Sequence, residues 1–298
     1  MRLLGRVLIL GANGQVGREL QRSFADAREL IALDRRHVDL GNREQLRDAV
    51  RHAAPEVILN AAAYTAVDRA ESDRDDAFAI NAHAPRILAH EAARRDAIFI
   101  HYSTDYVFDG GNNSPWLESD PTGPLNFYGA SKLAGEQAVA EAGGRYLILR
   151  TSWVYGPHGK NFLLTMLRLA GERDRLTIVN DQTGAPTTSI AIADATRTVV
   201  DEILSGTHQD WPGIYHLTCA GATTWCGFAK EIFARAGSLL AKTPEVLPIA
   251  SKDYPTPAQR PRNSVLSNQK LESHFGVRMP TWEEALDAAL AQLRATRQ

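Results

Sequence analysis

The stretch Val7-Leu-Ile-Leu-Gly-Ala-Asn-Gly-Gln-Val-Gly17 carries an apolar run straight into a turn with glycines at positions 11, 14 and 17. The run predicts a first β-strand, and the apolar spacing over 16–24 predicts a helix. A glycine turn between strand and helix lets backbone N–H groups meet a pyrophosphate. We therefore predict that Gly11, Gly14 and Gly17 bind a dinucleotide. A purely structural turn is the alternative, since the spacing is not the commoner G-x-G-x-x-G.

The first half of the chain alternates short aliphatic runs with helical patterns. Predicted strands cover 7–10, 29–33, 57–60, 98–102 and 146–150, and predicted helices cover 16–24, 43–52, 75–94 and 128–141. Strands separated by helices of this length favour right-handed crossovers. The predicted fold class is therefore α/β, a Rossmann-type doubly wound parallel sheet.

The second half is less regular. The proline-rich run 254–263 predicts no regular structure, because each proline lacks a backbone donor and restricts its predecessor. Thr281 and Glu284 have capping-box spacing and predict the start of a last helix. The remaining predicted elements are helices over 161–170 and 190–204 and a strand over 214–218.

These patterns predict two domains. Residues 1–151 plus about 187–218 are expected to form the dinucleotide-binding Rossmann domain. Residues of about 152–186 plus 219–298 are expected to form a smaller substrate-binding lobe over the carboxyl edge of the sheet, where open α/β sheets place their ligands.

Composition narrows the function class. The 298 residues are 44% hydrophobic and 23% charged, with a formal net charge of −2. Scattered charge of this kind indicates no nucleic acid polymer or membrane surface as partner, and no apolar run reaches the ~20 residues of a membrane span. Cys219 and Cys226 lack metal-binding spacing and are expected to be reduced. We expect a cytoplasmic protein with no metal site placed by the sequence.

Tyr128 and Lys132 are four residues apart on a predicted helix and so share one face. A free phenol titrates near pH ~10. We expect the Lys132 ammonium to lower the pKa of Tyr128 and allow proton exchange with a substrate oxygen. Ser103 and Thr104 end the fourth strand, where their hydroxyls could face a carbonyl that gains charge as hydride arrives. We predict Tyr128, Lys132 and Thr104 as catalytic.

The end of the second strand predicts the adenosine site. Asp34 could bind the ribose hydroxyls and disfavour a 2′-phosphate, or could simply cap a loop. Arg35 and Arg36 could hold that phosphate. The sequence thus argues for NADH and NADPH together.

Two further segments have open readings. Trp153 could belong to the core or could wall a sugar pocket. Arg260 and Arg262 could face solvent or bind a diphosphate. Asp39-Leu40 and Asn60-Ala-Ala-Ala63 end strands or turns beside the expected path of the cofactor.

Taken with the glycine turn, Tyr-Ser-Thr-Asp-Tyr-Val-Phe at 102–108 and Tyr-x-x-x-Lys at 128 make the chain resemble the extended short-chain dehydrogenases/reductases. Further segments narrow the resemblance to the dTDP-4-dehydrorhamnose reductases; these are Thr65-Ala-Val-Asp68, Pro124-Leu-Asn126, Thr151-Ser-Trp-Val-Tyr155, Asn180-Asp-Gln182 and Tyr254-Pro-Thr-Pro. The resemblance implies NAD(P)H-dependent reduction of the 4-keto group of dTDP-4-dehydro-6-deoxy-L-mannose to dTDP-L-rhamnose, an activated sugar for cell-surface polysaccharides.

The resemblance also implies site residues. Those expected to contact the cofactor are Gly14, Gln15, Val16, Asp34, Asp39, Leu40, Ala63, Tyr64, Thr65, Tyr102, Tyr128 and Lys132. Those expected to contact the nucleotide sugar are Thr104, Asp105, Tyr106, Tyr128, Trp153 and Arg260. Asn81 matches an asparagine that organises a proton relay in the wider family. The resemblance raises a homodimer with a Mg²⁺ ion at the dimer contact, which no carboxylate cluster in the sequence locates.

Three alternatives remain open. A nucleotide-sugar dehydratase of the same fold is disfavoured, because Tyr106 stands where those enzymes carry a glutamate. An epimerase is compatible with the fold alone. A non-catalytic NADP-binding subunit resembling the regulatory subunit of methionine adenosyltransferase would bind a partner rather than turn over a sugar.

Overall fold

The protein is described by a computed structural model over residues 4–206 and 210–296. The described residues leave out positions 1–3, 207–209 and 297–298. These positions include the outer limits of the predicted domains. The strands are β1 Arg6–Leu10, β2 Glu29–Leu33, β3 Val57–Asn60, β4 Ile98–Thr104, β5 Tyr146–Thr151, β6 Val154–Tyr155, β7 Arg175–Val179, β8 Thr183–Gly184, β9 Thr187–Thr188, β10 Gly213–His216, β11 Thr223–Thr224, β12 Glu245–Ile249 and β13 Asn263–Ser264. The α-helices are α1 Gln15–Ser23, α2 Arg43–Ala53, α3 Arg74–Phe78, α4 Ala84–Ala93, α5 Phe127–Ala142, α6 Phe162–Glu172, α7 Ser189–Ser205, α8 Trp225–Ala236, α9 Gln269–Phe275 and α10 Trp282–Thr296.

A six-stranded parallel sheet in the order β10-β5-β4-β3-β1-β2 forms the centre of the first half. Its central strands are buried on both faces, which is why they read as continuous apolar runs rather than alternating ones. Helices α1 and α7 pack together on one face, and α2, α4 and α5 cover the other. The order reverses between β1 and β3, so the carboxyl ends of these strands frame a ligand crevice.

A second hydrophobic core lies among the later helices. It joins α6, α8 and α10 through buried residues that include Leu163, Phe228 and Leu286. The capping box predicted for the last helix is present: the Thr281 backbone N–H donates to Glu284 Oε2 at 2.8 Å, and the Glu284 N–H donates to Thr281 Oγ1 at 3.2 Å.

Several predicted elements differ from those observed, including the strand predicted over 214–218, which is observed as Gly213–His216. The helix predicted over 75–94 is interrupted by a π-helical turn at Ala79–His83, because Pro85 lacks the N–H that a continuous ladder needs there. Strands β4 and β5 extend to Thr104 and Thr151, beyond the predicted 102 and 150. The proline-rich run is irregular only up to residue 262, because the Arg262 carbonyl oxygen accepts from the Thr183 N–H at 2.8 Å and Asn263 then pairs within β13 beside β8.

The two-domain division remains a proposal. In its support, β10 joins the Rossmann sheet and α7 packs on α1, although both follow the first lobe segment in sequence. Buried side chains of α9, Leu271 and Phe275, pack in the same core as the sheet. We therefore propose that 269–277 belongs with the Rossmann domain.

Candidate active site

Helix α5 begins where the predicted catalytic residues meet. The Asn126 side chain caps it by accepting a hydrogen bond from the Gly129 N–H at 2.8 Å. A Cβ at Gly129 would lie 2.2 Å from the Tyr106 carbonyl oxygen, so only glycine permits this approach. The helix thereby brings Tyr128 into a hydrogen bond with the Thr104 side chain at the end of β4. The phenol and the hydroxyl expected to share a substrate oxygen are therefore neighbours.

The electrostatic environment of Tyr128 differs from the expectation. Burial raises the pKa of Tyr128 to about 12; the hydrogen bond with Thr104 opposes that shift, and Asp105 adds to it. Lys132 is not among the groups that act on the phenol, so the expectation that Lys132 lowers the pKa of Tyr128 is wrong for this structure. At neutral pH the phenol is protonated, as a proton donor to an alkoxide must be.

Lys132 is buried one turn further along α5. Its Nζ donates to the Tyr102 carbonyl oxygen at 2.6 Å and lies 3.5 Å from His101 Nε2. Burial lowers the pKa of Lys132 to about 8, while the Glu136 carboxylate opposes the shift. Glu136 forms a fully buried bidentate pair with Arg150 at 2.9 and 2.7 Å. Tyr128, Lys132 and Glu136 thus occupy successive turns of one helix face.

Asp105 and Tyr106 follow Thr104 and surround Tyr128. Burial raises the pKa of Asp105 to about 7, against hydrogen bonds from Ser264 and Thr104. Its Oδ2 atom is buried and has no hydrogen-bond partner among the described residues. The Tyr106 and Tyr128 rings pack edge to face, 5.5 Å apart. The site therefore holds an additional titratable group close to the phenol.

Arg260 is anchored by the loop that follows β3. Its guanidinium forms two hydrogen bonds with the Asp68 carboxylate, at 2.5 and 2.8 Å, and also bonds Tyr106. The Asn126 amide donates to the Gln259 carbonyl oxygen at 2.7 Å. The proline-rich run is thus docked on the Rossmann half beside Tyr106, and Arg260 is neither free in solvent nor unpaired.

Trp153 lies between β5 and β6 with φ of 48°, an uncommon backbone conformation for a bulky residue. Its ring stacks on Trp225 at 3.6 Å with an interplanar angle of 8°. A Cβ at Gly184 would lie 2.4 Å from the Trp153 indole. The indole is therefore fixed by Trp225 and Gly184 and is partly buried. A role as a wall of the sugar pocket stays a prediction.

The three glycines of the turn differ in what they permit. Gly11 has φ of +82°, and a Cβ there would meet the Ala61 and Ala62 backbone within 2.8 Å. A Cβ at Gly17 would lie 2.1 Å from the Gly11 carbonyl oxygen. Gly14 is exposed, and α1 has no side-chain cap. Gly11 and Gly17 thus serve close packing, and the Gly14 N–H donates to the Gly11 carbonyl oxygen at 2.9 Å. The first N–H groups of α1, which have no side-chain cap, remain available to a phosphate.

The predicted adenosine end is occupied by a charge cluster. Asp34 accepts from the Arg36 guanidinium at 3.0 and 2.7 Å, contacts His37 Nδ1 at 2.8 Å and accepts from the Asn13 amide. The Arg36 guanidinium holds the pKa of Asp34 well below its usual range. Arg35 is exposed and has no hydrogen bond or ion pair among the described residues. Asp34 is therefore more than a local cap, although its acceptors are already engaged.

The other predicted cofactor residues have varied surroundings. Asp39 is exposed and accepts from the Gly41 N–H at 2.9 Å, and the Tyr64 hydroxyl donates to Asp73 at 2.8 Å. The Tyr102 hydroxyl bonds Thr196 of α7, so its carbonyl, and not its phenol, meets Lys132. The remaining predicted cofactor residues are exposed or partly buried: Gln15, Val16, Leu40, Ala63 and Thr65.

Asn81 lies in the π-helical turn and is fully buried. Its Oδ1 accepts from the Tyr64 N–H at 2.8 Å, and its Nδ2 donates to the Tyr64 carbonyl oxygen at 3.0 Å and to Ser131 Oγ at 2.9 Å. In this structure the side chain fixes the loop after β3 to α5. Its expected part in a proton relay stays a prediction.

Several residues of the site were missed at the sequence level. His101 precedes Ser103 by two positions and so shares its strand face, a signal that a search for metal patterns passes over. Trp225 and the pairing of Asp68 with Arg260 had no sequence signal, because the partners are distant in the chain.

The described residues also bear on the expected membrane and metal partners. Within 4–206 and 210–296, no helix combines the length and apolar character needed to cross a membrane. Across the same described residues, no group of three or more His, Cys, Asp or Glu side chains could hold a metal ion.

Comparison with known proteins identifies the family. A family model described as the RmlD substrate binding domain matches residues 5–295. A dTDP-4-dehydrorhamnose reductase of Burkholderia thailandensis is 49% identical over 97% of this chain and 99% of its own, and that of Escherichia coli K12 is 44% identical over 97% and 98%.

Solved structures agree. The dTDP-4-dehydrorhamnose reductase of Bacillus anthracis in complex with NADP superimposes with a TM-score of 0.88 at 36% identity, covering 98% of this chain and all of that one. A UDP-glucose 4-epimerase of Thermus thermophilus, at 23% identity and a TM-score of 0.75 over 97% of this chain and 99% of its own, shares the Rossmann-type fold. On the strength of the near-full-length relatives, the chain belongs to the dTDP-4-dehydrorhamnose reductase family.

Proposed function

We propose that the protein catalyses the NAD(P)H-dependent reduction of the 4-keto group of dTDP-4-dehydro-6-deoxy-L-mannose to dTDP-L-rhamnose, the final step of dTDP-rhamnose biosynthesis. The observation that carries this proposal is that Tyr128, protonated at neutral pH, lies next to the Thr104 side chain and one turn from a buried Lys132, at the carboxyl edge of the sheet. The names of the near-full-length relatives support the substrate.

In the proposed mechanism, the reduced nicotinamide supplies a hydride to the carbonyl carbon. Tyr128 donates its phenolic proton to the carbonyl oxygen as negative charge develops there, and Thr104 adds a second hydrogen bond to the same oxygen. Lys132 binds the nicotinamide ribose with its ammonium. The raised pKa of Tyr128 keeps the proton in place until an alkoxide, a stronger base, takes it.

The residues present fit a dinucleotide. Gly14 is exposed and has no side chain to block a ligand, and the uncapped start of α1 that follows it offers N–H groups to the pyrophosphate. Asp34 suits ribose hydroxyls, and Arg35 and Arg36 suit a 2′-phosphate. We propose that both NADH and NADPH are used. Among the described residues, no group of three or more His, Cys, Asp or Glu side chains could hold Mg²⁺, so the mechanism assigns no step to a metal.

The proposed sugar pocket is bounded by Asp105, Tyr106, Trp153 and Arg260. The stacked Trp153 offers an apolar face to the deoxygenated C6 methyl group. Arg260 is held by Asp68 at the side of Tyr106 and offers its remaining donors to the diphosphate. We further propose a cytoplasmic protein that acts on a nucleotide sugar, with a homodimer as its assembly to be tested by light scattering.

The test supplies dTDP-glucose with a 4,6-dehydratase, a 3,5-epimerase, this protein and NADPH, and follows the absorbance of the reduced nicotinamide. We expect NADPH consumption and formation of dTDP-L-rhamnose. Consumption with only a different 4-keto sugar nucleotide would refute the substrate and keep the reductase class. Inactivity with every sugar, joined with co-purification of methionine adenosyltransferase, would replace the proposal with a regulatory subunit.

A further inference from the structure

A histidine and an asparagine lie behind the catalytic lysine and play no part in the mechanism above. His101 is on β4 and Asn60 ends β3, and both are at most 2% exposed. His101 Nε2 lies 3.5 Å from Lys132 Nζ, and His101 Nδ1 lies 3.1 Å from Asn60 Nδ2. The three side chains therefore form a buried row across two strands and one helix.

The row has one consistent proton arrangement when Lys132 carries a charge. An ammonium has only donors, so His101 Nε2 must present its lone pair and Nδ1 must carry the imidazole proton. That proton needs an acceptor. Asn60 Nδ2 lies toward the ring and Asn60 Oδ1 has no hydrogen-bond partner among the described residues, so this proton arrangement requires the amide turned by 180°, which places Oδ1 against Nδ1. Burial and the charge on Lys132 also hold the pKa of His101 well below its ordinary value. The imidazole is therefore neutral.

We propose that His101 is a positioning residue for Lys132, fixed in its Nδ1-protonated form by Asn60. With Tyr102 O and His101 Nε2 accepting two of its protons, the ammonium keeps one donor for the cofactor. Without the imidazole, the four-carbon stem of lysine could rotate the ammonium away from the site. This inference rests on the proposed function only in assigning the nicotinamide ribose to Lys132.

Two substitutions separate the acceptor from the ring. His101→Phe keeps a flat ring beside Phe99 and removes both nitrogens, whereas His101→Gln keeps an amide acceptor near the place of Nε2. We expect His101→Phe to raise the Kd of NADPH roughly 3- to 10-fold, as loss of one hydrogen bond does. It should also lower kcat roughly 10-fold through misplacement of the ammonium. His101→Gln should stay within about 3-fold of the wild type in both quantities.

The proton arrangement is tested directly by ¹⁵N NMR of the histidine-labelled protein, with His101→Gln used to assign the signals. We expect one imidazole with a protonated Nδ1 and an unprotonated Nε2 that stays neutral down to pH 5. Asn60→Leu should shift that signal toward the other tautomer. A protonated Nε2 in the wild type would overturn the proposal.

The kinetic outcomes are equally decisive. If His101→Phe and His101→Gln, both with wild-type melting temperatures, lose activity equally, the imidazole acts through its shape and the proposal fails. Unchanged NADPH affinity and kcat in His101→Phe would also refute it. NADPH binding and the NMR signal need no sugar, so failure of the proposed substrate leaves them readable. A wild type inactive toward every sugar would refute the proposed function, not the tautomer.

Discussion

The two ends of the predicted cofactor crevice each hold a buried aspartate, and their surroundings push the two carboxyl groups in opposite directions. At the chemical end, burial raises the pKa of Asp105 to about 7, and one of its oxygens lacks a partner among the described residues. At the adenosine end, the Arg36 guanidinium holds the pKa of Asp34 well below its usual range. Asp34 is 7% exposed, but its partner Arg36 is 77% exposed.

This difference predicts how substitutions at each end affect rate and affinity. The chemical end is closed by hydrogen bonds among buried groups, and a substitution there leaves another group unpaired. The adenosine end relies on exposed charged side chains, whose ion pairs a bound phosphate can replace. We therefore expect steep losses of rate at the first end and graded, salt-dependent changes of affinity at the second.

At the chemical end, the substitution with the largest expected effect on rate is Tyr128→Phe. Because a positioned acid typically contributes 10²-fold or more, kcat should fall by roughly 10² while the Kd of NADPH changes less than about 3-fold. Steady-state turnover and a fluorescence titration measure the two. Tyr146→Phe, at the start of β5, is the matched control and should keep wild-type turnover. Wild-type kcat in Tyr128→Phe would remove the phenol from the mechanism.

At the adenosine end, the double replacement Arg35→Ala and Arg36→Ala tests whether these arginines bind the cofactor phosphate. Loss of two cations should weaken NADPH by roughly 5- to 10-fold at low salt, with a smaller loss for NADH, and the difference should shrink as salt rises. KM values for both cofactors at two ionic strengths provide the measurement. The control is Arg43→Ala with Arg47→Ala, two exposed arginines of α2. Equal losses for NADH and NADPH would mean that Arg35 and Arg36 face solvent only.

The two aspartates also predict a pH dependence of stability. Since the pKa of Asp105 in the folded protein is about 7 and its ordinary value is 3.8, the folded state binds the proton more tightly than the unfolded state. This contribution to stability is complete below pH ~4 and is lost as the pH rises through ~7. Asp34 has the opposite sign: its contribution is lost on acidification.

Asp105→Asn removes the titration and keeps the shape of the side chain. The excess of its melting temperature over that of the wild type should be smallest near pH 4 and should grow by at least about 2 °C by pH 8. Differential scanning calorimetry of both proteins across this range is the measurement. Parallel curves at every pH would show that Asp105 does not titrate between them.

The smallest expected effect is that of a chelator. Because no group of three or more His, Cys, Asp or Glu side chains among the described residues could hold a metal ion, EDTA should change the rate of NADPH oxidation by less than about 20%. Dialysis against EDTA followed by turnover with and without added Mg²⁺ tests this. Restoration of lost activity by Mg²⁺ would place a metal site at a contact that a single chain does not contain.

Much of the fold could be predicted from the sequence, and less of the site. Apolar runs and helical spacing gave the sheet, since burial on both faces leaves a periodic signal in the chain. Motif spacing placed Tyr128 and Lys132 on one helix face. The direction of the Tyr128 pKa shift was missed, because burial depends on elements packed from elsewhere, including Asp105 and its neighbours.

The remaining misses share one physical cause. The stacking of Trp153 on Trp225 and the pairing of Asp68 with Arg260 join distant parts of the chain. Such pairs leave no local pattern in a single sequence. His101 could have been found, because strand alternation puts it on the face of Ser103, behind the lysine that the motif already named.

The pairing of Asp68 with Arg260 has a consequence for biosynthesis. The two residues are 192 positions apart, so at roughly 5–20 residues per second a ribosome needs about 10–40 s to add Arg260 after Asp68. During that interval the loop after β3 lacks its partner while the first strands can already pair. We expect proteases to cut this loop in nascent chains stalled before residue 254 and to spare it in released chains. Equal resistance of the two kinds of chain to proteolysis would show that the loop orders without the proline-rich run.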